Sequence, residues 1–274
     1  MLIDFHTHVF PDKIAERAID VLESNIVKYS GDVPFAHANY RGTLNGLKKS
    51  MSENHVDISV VLPIATNVTQ SDSINRFAAE LNKIPGIVSF GSLHPLQPKP
   101  EEELEKIKKA GIKGIKLHPE YQHFYINSPE SIRILKYAEG LGLFVVLHAG
   151  KDVGAPEPVH CSPQQLSDAL GHVSGKNIIA AHMGGYGLWE DVSKYLGKSE
   201  IMADTSFCLN KMPADTAKDI IRTFSPDRIL FGTDLPWAKP SDILGALKNL
   251  NLTKDSFDKI TFGNACRILG IPKR

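Results

Sequence analysis

The chain lacks an excess of charge of either sign. Its 31 lysine and arginine residues are balanced by 31 aspartate and glutamate residues, so no broad electrostatic surface for nucleic acid or anionic lipid is expected. It has no run of about 18 apolar residues, the length that a membrane-spanning helix requires, and its first residues lack the basic-then-apolar order of a secretory signal. We therefore expect a cytoplasmic protein with a small-molecule substrate and no nucleic acid or membrane partner.

Cysteine is also scarce. The 274 residues include only Cys161, Cys208 and Cys266, and no two of them form a C-x-x-C pair. This excludes a dense disulfide framework and fits a reducing compartment. No linker or low-complexity segment divides the chain, so we predict a single domain over residues 1–274. A homodimer is compatible with the sequence but is not specified by it.

Short apolar runs alternate with amphipathic segments along the chain. Eight runs read as strands, at residues 2–5, 57–62, 86–93, 112–117, 143–147, 177–181, 200–203 and 228–231. Continuous apolar runs are typical of parallel strands buried on both faces, and their alternation with helices predicts an α/β fold, a distorted (β/α)8 TIM barrel. A doubly wound sheet is the alternative, but its usual glycine-rich turn after the first strand is missing.

A long insertion follows the first predicted strand. Residues 10–42 carry one helical pattern and a Gly/Pro/Asn-rich passage, and a second helix with Thr43 as its N-cap comes before the next strand. Loops of this length in compact domains are usually lids or binding loops. We predict that residues 10–42 form a lid over the site.

Two histidines end the first predicted strand at alternate positions. His6 and His8 therefore point to one face, and two imidazoles on one face can hold a divalent ion. Asp4 is in phase with them and could orient a ligand. Two core histidines bonded to backbone carbonyls would be the alternative for this pair alone.

Similar side chains recur where the later strands end. The carboxyl ends of all strands of a (β/α)8 barrel meet at one mouth, which carries the active site. The residues at these ends are His6, His8, His94, Lys116, His118, His148, His182, Asp204 and Asp234. Because six of the 11 histidines are in this set, the convergence predicts an active site more strongly than any single motif does.

The same positions resemble a known family. The matching segments are residues 3–8, 114–119, 147–150, 181–185, 231–236 and 264–265. In order and spacing they resemble the amidohydrolase superfamily, and within it the amidohydrolase-2 branch of hydrolases and non-oxidative decarboxylases. The resemblance implies a distorted TIM barrel with a divalent metal at its mouth.

The resemblance also implies roles for individual residues. The metal ligands would be His6, His8, His148 and Asp234. His182 would contact the substrate or activate water, or bind a second ion in two-metal members. Such members usually bridge two ions with a carboxylated lysine or a glutamate on strand four, where this chain has Lys116 and His118, neither of which aligns securely with that position. We therefore expect one zinc ion, with two ions as the alternative.

The expected chemistry starts from water. Zinc can lower the pKa of a bound water from about 15.7 to about 7. Asp234 would accept the proton of that water, and His182 would polarise the attacked group or transfer a proton. His118, His123 and Trp237 are the candidates for substrate contacts, although a surface position fits the two histidines equally well and packing fits the tryptophan.

These residues are compatible with three functions. We expect a metal-dependent hydrolase of a small amide, ester or lactone-like substrate. The alternative is a non-oxidative decarboxylase of an aromatic or unsaturated carboxylic acid, which needs a cation for the substrate carboxylate. The strand ends carry no arginine, and Arg41 in the long insertion is the one nearby candidate. A non-catalytic metal-binding barrel is disfavoured because His182 and Asp234 supply both proton-transfer groups.

Overall fold

The computed structural model describes residues 1–30 and 37–272. Its strands are β1 (Ile3–Thr7), β2 (Ile58–Val61), β3 (Ile87–Ser89), β4 (Gly91–Ser92), β5 (Gly114–Leu117), β6 (Phe144–Leu147), β7 (Ile178–Ala180), β8 (Met202–Asp204) and β9 (Ile229–Leu230). All eight predicted strands are present, and the third is divided into β3 and β4 at Phe90.

Helices separate most of these strands. They are α1 (Asp12–Tyr29), α2 (Leu44–Asn54), α3 (Ser71–Leu81), α4 (Pro100–Lys109), α5 (Pro119–Gln122), α6 (Pro129–Leu141), α7 (Pro163–Leu170), α8 (Trp189–Leu196), α9 (Ala214–Phe224), α10 (Pro240–Asn249), α11 (Lys254–Asp258) and α12 (Asn264–Leu269). A π-helical turn, Lys259–Gly263, joins α11 to α12. Within the described ranges, no helix is both long and apolar enough to cross a membrane.

All strand pairs are parallel, and together they form a ring. The hydrogen-bonded orders are β1-β2-β3 and β4-β5-β6-β7-β8-β9, and β3 leads directly into β4. Between the ends of the ring, the Phe5 amide donates to the Phe231 carbonyl over 2.8 Å, and the Asp234 amide donates to the His6 carbonyl over 2.7 Å. The predicted (β/α)8 TIM barrel is confirmed.

Two layers of apolar side chains explain why the strands are apolar throughout. In β6, Val145 and Leu147 belong to the large cluster between strands and helices, whereas Val146 belongs to a smaller cluster with Phe5 and Ile179. Alternate residues of one strand thus face opposite sides. Lys116 pairs in register with Val146, so the lysine shares the inner face, where its amine can reach the barrel mouth.

The predicted insertion between the first two strands is present. It contains α1, a 3-10 turn at Asn39–Gly42 and α2, and the Thr43 side chain accepts from the Gly46 amide as the predicted N-cap. The lid prediction covers residues 10–42, of which 31–36 lie outside the described residues. Its helical part, α1, lines the mouth of the barrel.

Candidate active site

A cavity of about 590 Å³ lies at the mouth of the barrel. The predicted site residues that line it are His6, His8, His118, His148, His182, Asp234 and Trp237. His123 does not belong to this lining; it is an exposed residue in the left-handed conformation that ends α5. The cavity therefore gathers the predicted metal and catalytic residues together with two of the three predicted substrate contacts.

Three of the four predicted metal ligands form one cluster, which we call the first group. His6, His8 and Asp234 each offer a ligand atom, and these atoms lie within 4.8 Å of one another. His8 Nε2 is 2.9 Å from Asp234 Oδ1, and His6 Nε2 is 3.5 Å from the same oxygen. Two nitrogens and a carboxylate at such distances form a donor set suited to zinc and similar ions.

Hydrogen bonds at the far side of each ring fix the tautomers in the first group. His6 Nδ1 lies 2.8 Å from Asp204 Oδ2, and His8 Nδ1 lies 2.8 Å from the carbonyl oxygen of Leu62. Both oxygens accept, so each Nδ1 atom carries a proton, and the neutral form of either ring has none on Nε2. His8 Nε2 and Asp234 Oδ1 thus face each other as two acceptors, an arrangement that a cation would stabilise.

The ionisation of these residues agrees with that assignment. Burial and the nearby Lys116 lower the His6 pKa to about 4, so the ring is neutral at pH 7. Burial alone would raise the pKa of Asp204, but His6, which donates to this carboxylate, holds it below the usual range. The neutral His6 ring is thus in the protonation state that a divalent ion requires of an imidazole ligand.

Asp4 fixes the backbone that carries Asp234. Its carboxylate accepts from the Thr233 amide over 3.0 Å and from the Thr233 hydroxyl over 2.6 Å. Asp234 itself has a left-handed backbone, with φ of 67°, a sparsely populated conformation for a residue other than glycine. Burial raises the Asp4 pKa to about 7, and the Thr233 bond opposes that rise. Asp4 thus positions a loop, whereas Asp204 orients the His6 ring.

His148, the fourth predicted ligand, lies in a second group with His118 and Asp152. Asp152 Oδ2 is 3.4 Å from His118 Nε2 and 3.8 Å from His148 Nε2. The two imidazoles stack with their centroids 4.2 Å apart. Burial lowers the pKa of both rings well below the usual value, so both are neutral at pH 7.

The tautomers of the second group differ between its two rings. His182 Nδ1 donates to the Ser206 carbonyl over 2.9 Å, so His182 Nε2 accepts from His148 Nδ1 over 3.1 Å. His148 Nε2 is left without a proton, and it has no hydrogen-bond partner among residues 1–30 and 37–272. His118 Nδ1 instead accepts from the Tyr121 amide over 3.4 Å, which leaves the proton on Nε2, facing Asp152.

His182 and Lys116 complete the floor of the cavity. His182 has a positive φ of 59°, and its Nε2 points to His148. Lys116 is buried, with Nζ 3.3 Å from His6 Nε2. Burial lowers the Lys116 pKa to about 8, although the charges of Asp234 and Asp204 oppose this. Lys116 therefore donates a hydrogen bond to the lone pair of His6 Nε2 that a bound ion would take.

Several residues of the site were not assigned from the sequence. Asp204 stood among the strand ends, but its bond to His6 could not be inferred from that position. Asp152 lies four residues after His148 in a loop, and no motif or periodic pattern in the sequence marked it.

Arg41, the predicted cation for a decarboxylase, does not line the cavity. Its guanidinium pairs with Asp20 over 2.5 Å and with Glu23 over 3.4 Å, because the 3-10 turn places it against the exposed side of α1.

The sequence matches the amidohydrolase family over residues 3–271. The chain belongs to the amidohydrolase family. This confirms the membership predicted from the motifs and agrees with the histidine and aspartate constellation at the barrel mouth. No curated protein matches the sequence significantly.

Solved structures of other proteins share the fold of this amidohydrolase. An uncharacterized TIM-barrel protein from Bordetella bronchiseptica is 17% identical, with a TM-score of 0.77 over 98% of both chains. A dihydroxybenzoic acid decarboxylase from Polaromonas is 16% identical, with a TM-score of 0.69 over 100% of this chain and 98% of that one. A probable 2-pyrone-4,6-dicarboxylic acid hydrolase from Acinetobacter baumannii is 17% identical, with a TM-score of 0.67 over 98% and 99%. At these identities the likeness is one of fold.

Proposed function

We propose that this amidohydrolase is a metal-dependent hydrolase of a small amide, ester or lactone-like bond. The observation that carries the proposal is the first group, in which proton-free His6 Nε2 and His8 Nε2 converge with Asp234 Oδ1 within 4.8 Å. This donor set fits a divalent ion held by three protein ligands, which leaves positions for water and substrate. His148 Nε2, buried and without a partner in the described part of the chain, is the proposed fourth ligand.

We propose zinc as the ion, in one copy per chain. Neutral imidazole and carboxylate ligands suit zinc, but they also suit other divalent ions, and the dihydroxybenzoic acid decarboxylase from Polaromonas has bound manganese. When bound, the ion would supply Lewis-acid polarisation and acidify a water.

Residues of the chain would carry out the proton transfers and hold the substrate. Asp234 lies between His6 and His8, and as a carboxylate it can take the proton of the attacking water. Lys116 can donate to an oxygen of the substrate from its position beside His6. His182 accepts from His148, which fixes that ring and gives a route by which a proton can pass between the two histidines.

The choice of hydrolysis depends on the surroundings of Arg41. A decarboxylase requires a cation that holds the substrate carboxylate, and a bidentate arginine suits that task. Arg41 is paired with Asp20 and Glu23 and does not line the cavity. The arginine considered for that role is thus occupied elsewhere. Another arginine, Arg17, lines the cavity from helix α1 but belongs to neither ligand group at the strand ends, which supports hydrolysis.

Decarboxylation is the second candidate because Lys116 supplies a different cation. Its amine is buried at the floor of the cavity, 3.3 Å from His6 Nε2, where a substrate carboxylate could meet it. With a pKa lowered to about 8, this amine still carries a proton at pH 7. A lysine binds a carboxylate as a point charge without the two-point geometry of arginine, so we place this function second.

One experiment separates the two reactions. Purified protein with its ion content measured would be incubated in isotopically labelled water with esters, lactones, amides and aromatic or unsaturated carboxylic acids. A hydrolase places one labelled oxygen in the product and releases no carbon dioxide. Carbon dioxide release, without labelled oxygen in the product, would instead assign the decarboxylase. Turnover that is unchanged after the ion has been removed by a chelator would contradict both.

A further inference from the structure

Helix α1 carries two apolar stripes, one of which is buried. The buried stripe consists of Ala15, Ile19 and Ile26, of which Ile26 also reaches the cavity. A second stripe, offset around the helix, lines the cavity, and we call it the α1 wall. It consists of Ile14, Arg17, Ala18, Val21 and Leu22. The spacing of three and four residues places these side chains on one face of the helix.

The α1 wall is more exposed than a core face would be. Ile14 is 51% exposed and Val21 is 53% exposed, although both line a concave site. Ile74 and Phe77 of α3 line the same cavity. Apolar surface of this kind beside a small set of polar groups is typical of ligand sites, and contiguous exposed apolar patches mark sites of binding.

Arg17 adds a charge to this wall. Within residues 1–30 and 37–272, its side chain has no hydrogen bond or ion pair. The nearby acids of α1 are used elsewhere, because Asp20 and Glu23 pair with Arg41. Arg17 is therefore available to pair with a negative group that enters the cavity.

We propose that the α1 wall binds the hydrocarbon body of an amphipathic, anionic substrate, with the anionic group of that substrate at Arg17. The bond to be cleaved would lie at the first group, because the wall and the group line one cavity. The inference rests on the proposed function and names its substrate class: an ester, lactone or amide with an extended apolar part and a negative group remote from the cleaved bond.

Alkyl sulfonates test this class without relying on turnover. A sulfonate is an anion that ligates metal ions weakly, so its binding reports on Arg17 rather than on the ion site. We expect the affinity measured by titration calorimetry to rise from butyl to hexyl to octyl sulfonate by about fourfold per methylene, the factor that corresponds to about 0.8 kcal/mol per buried methylene. Alcohols of the same chain lengths should bind more weakly.

Three variants locate the binding. Val21→Asp should abolish the dependence on chain length, and Arg17→Ala should remove the advantage of the sulfonate over the alcohol. Val27→Asp is the matched control, because Val27 lies on the same helix, is 68% exposed and does not line the cavity. It should bind octyl sulfonate as the unmodified chain does. Circular dichroism and melting curves would verify that all three variants fold.

Two results would overturn the inference. One is that the native chain binds no sulfonate of any length, which would mean that something other than a ligand covers the wall. The other is that Val21→Asp and Val27→Asp bind octyl sulfonate equally well. Neither result would affect the proposed hydrolase, whose failure would appear separately as an absence of ion-dependent turnover on short substrates.

Discussion

The two groups of potential metal ligands share one cavity but differ in the positions of their protons. In the first group, an oxygen on the far side of each ring accepts a hydrogen bond from Nδ1, so the neutral forms of His6 and His8 have no proton on Nε2. In the second group, His118 accepts at Nδ1 and keeps its proton on Nε2. His148 alone presents a bare nitrogen there.

The difference between the two groups shows that a short distance between histidines and carboxylates does not by itself make a metal site. The bond at the other ring nitrogen decides whether an imidazole can act as a ligand. Asp152 confirms the distinction in its own contacts: its carboxylate accepts from the Tyr121 hydroxyl over 3.2 Å and from the Gly154 amide over 2.7 Å. It is therefore satisfied without an ion, whereas Asp234 faces acceptors.

The largest effect is expected from His8→Ala, which removes a ligand of the first group. The variant should purify without its ion, and its turnover should fall below detection. His118→Ala is the matched variant in the second group, and it should keep the full ion content, because its Nε2 carries a proton. Elemental analysis after gel filtration makes the comparison. Equal loss of the ion from both variants would show that the two groups bind metal alike.

A smaller effect on activity is expected from His182→Asn, which tests the role of the second group. The His182 ring packs against His6, with centroids 5.4 Å apart, but His182 is not one of the three residues whose ligand atoms converge at Asp234. The ion content should therefore stay close to that of the unmodified chain. If His182 transfers a proton, kcat should fall by about 10²–10⁴-fold, the usual range for general acid–base help. Loss of one stoichiometric ion from this variant would instead identify His182 as a ligand.

The smallest of the three effects is expected from Asp204→Asn, which keeps the shape of the residue that orients His6. Outer partners of metal-bound histidines typically contribute about 10–100-fold to metal affinity or activity. We expect the affinity for the ion to fall by about 10–100-fold. Competition with a fluorescent chelator measures this affinity. Equal affinities in Asp204→Asn and the unmodified chain would contradict the role given to Asp204.

Much of the fold could be predicted from the sequence, because strands and helix ends depend on residues that are close together in the chain. Apolar runs marked every strand, and Thr43 marked the start of α2, since an N-cap acts within one turn. The strand ends also brought His6, His8 and Asp234 to one mouth, because the topology of a barrel places them there.

The features of the site that could not be predicted depend on contacts between distant parts of the chain. Asp204 approaches His6 across a separation of 198 residues, and Asp152 approaches His118 from a loop whose path has no periodic pattern. The second stripe of α1 reads as a core face in sequence, since periodicity shows which residues share a side but not what that side meets. The placement of Arg41 beside Asp20 likewise follows from a turn with left-handed residues.

The bond between Asp4 and Thr233 joins residues 229 positions apart, and the first group spans the same junction. Contacts of such long separation carry the largest loop-closure entropy and slow the folding of a chain. The first group is therefore complete only after β1 has met the segment that follows β9. An ion that binds this cluster and not the unfolded chain would add about 2.7 kcal/mol to stability at a concentration 100 times its Kd. In this amidohydrolase the first group thus lies at the junction that closes the ring.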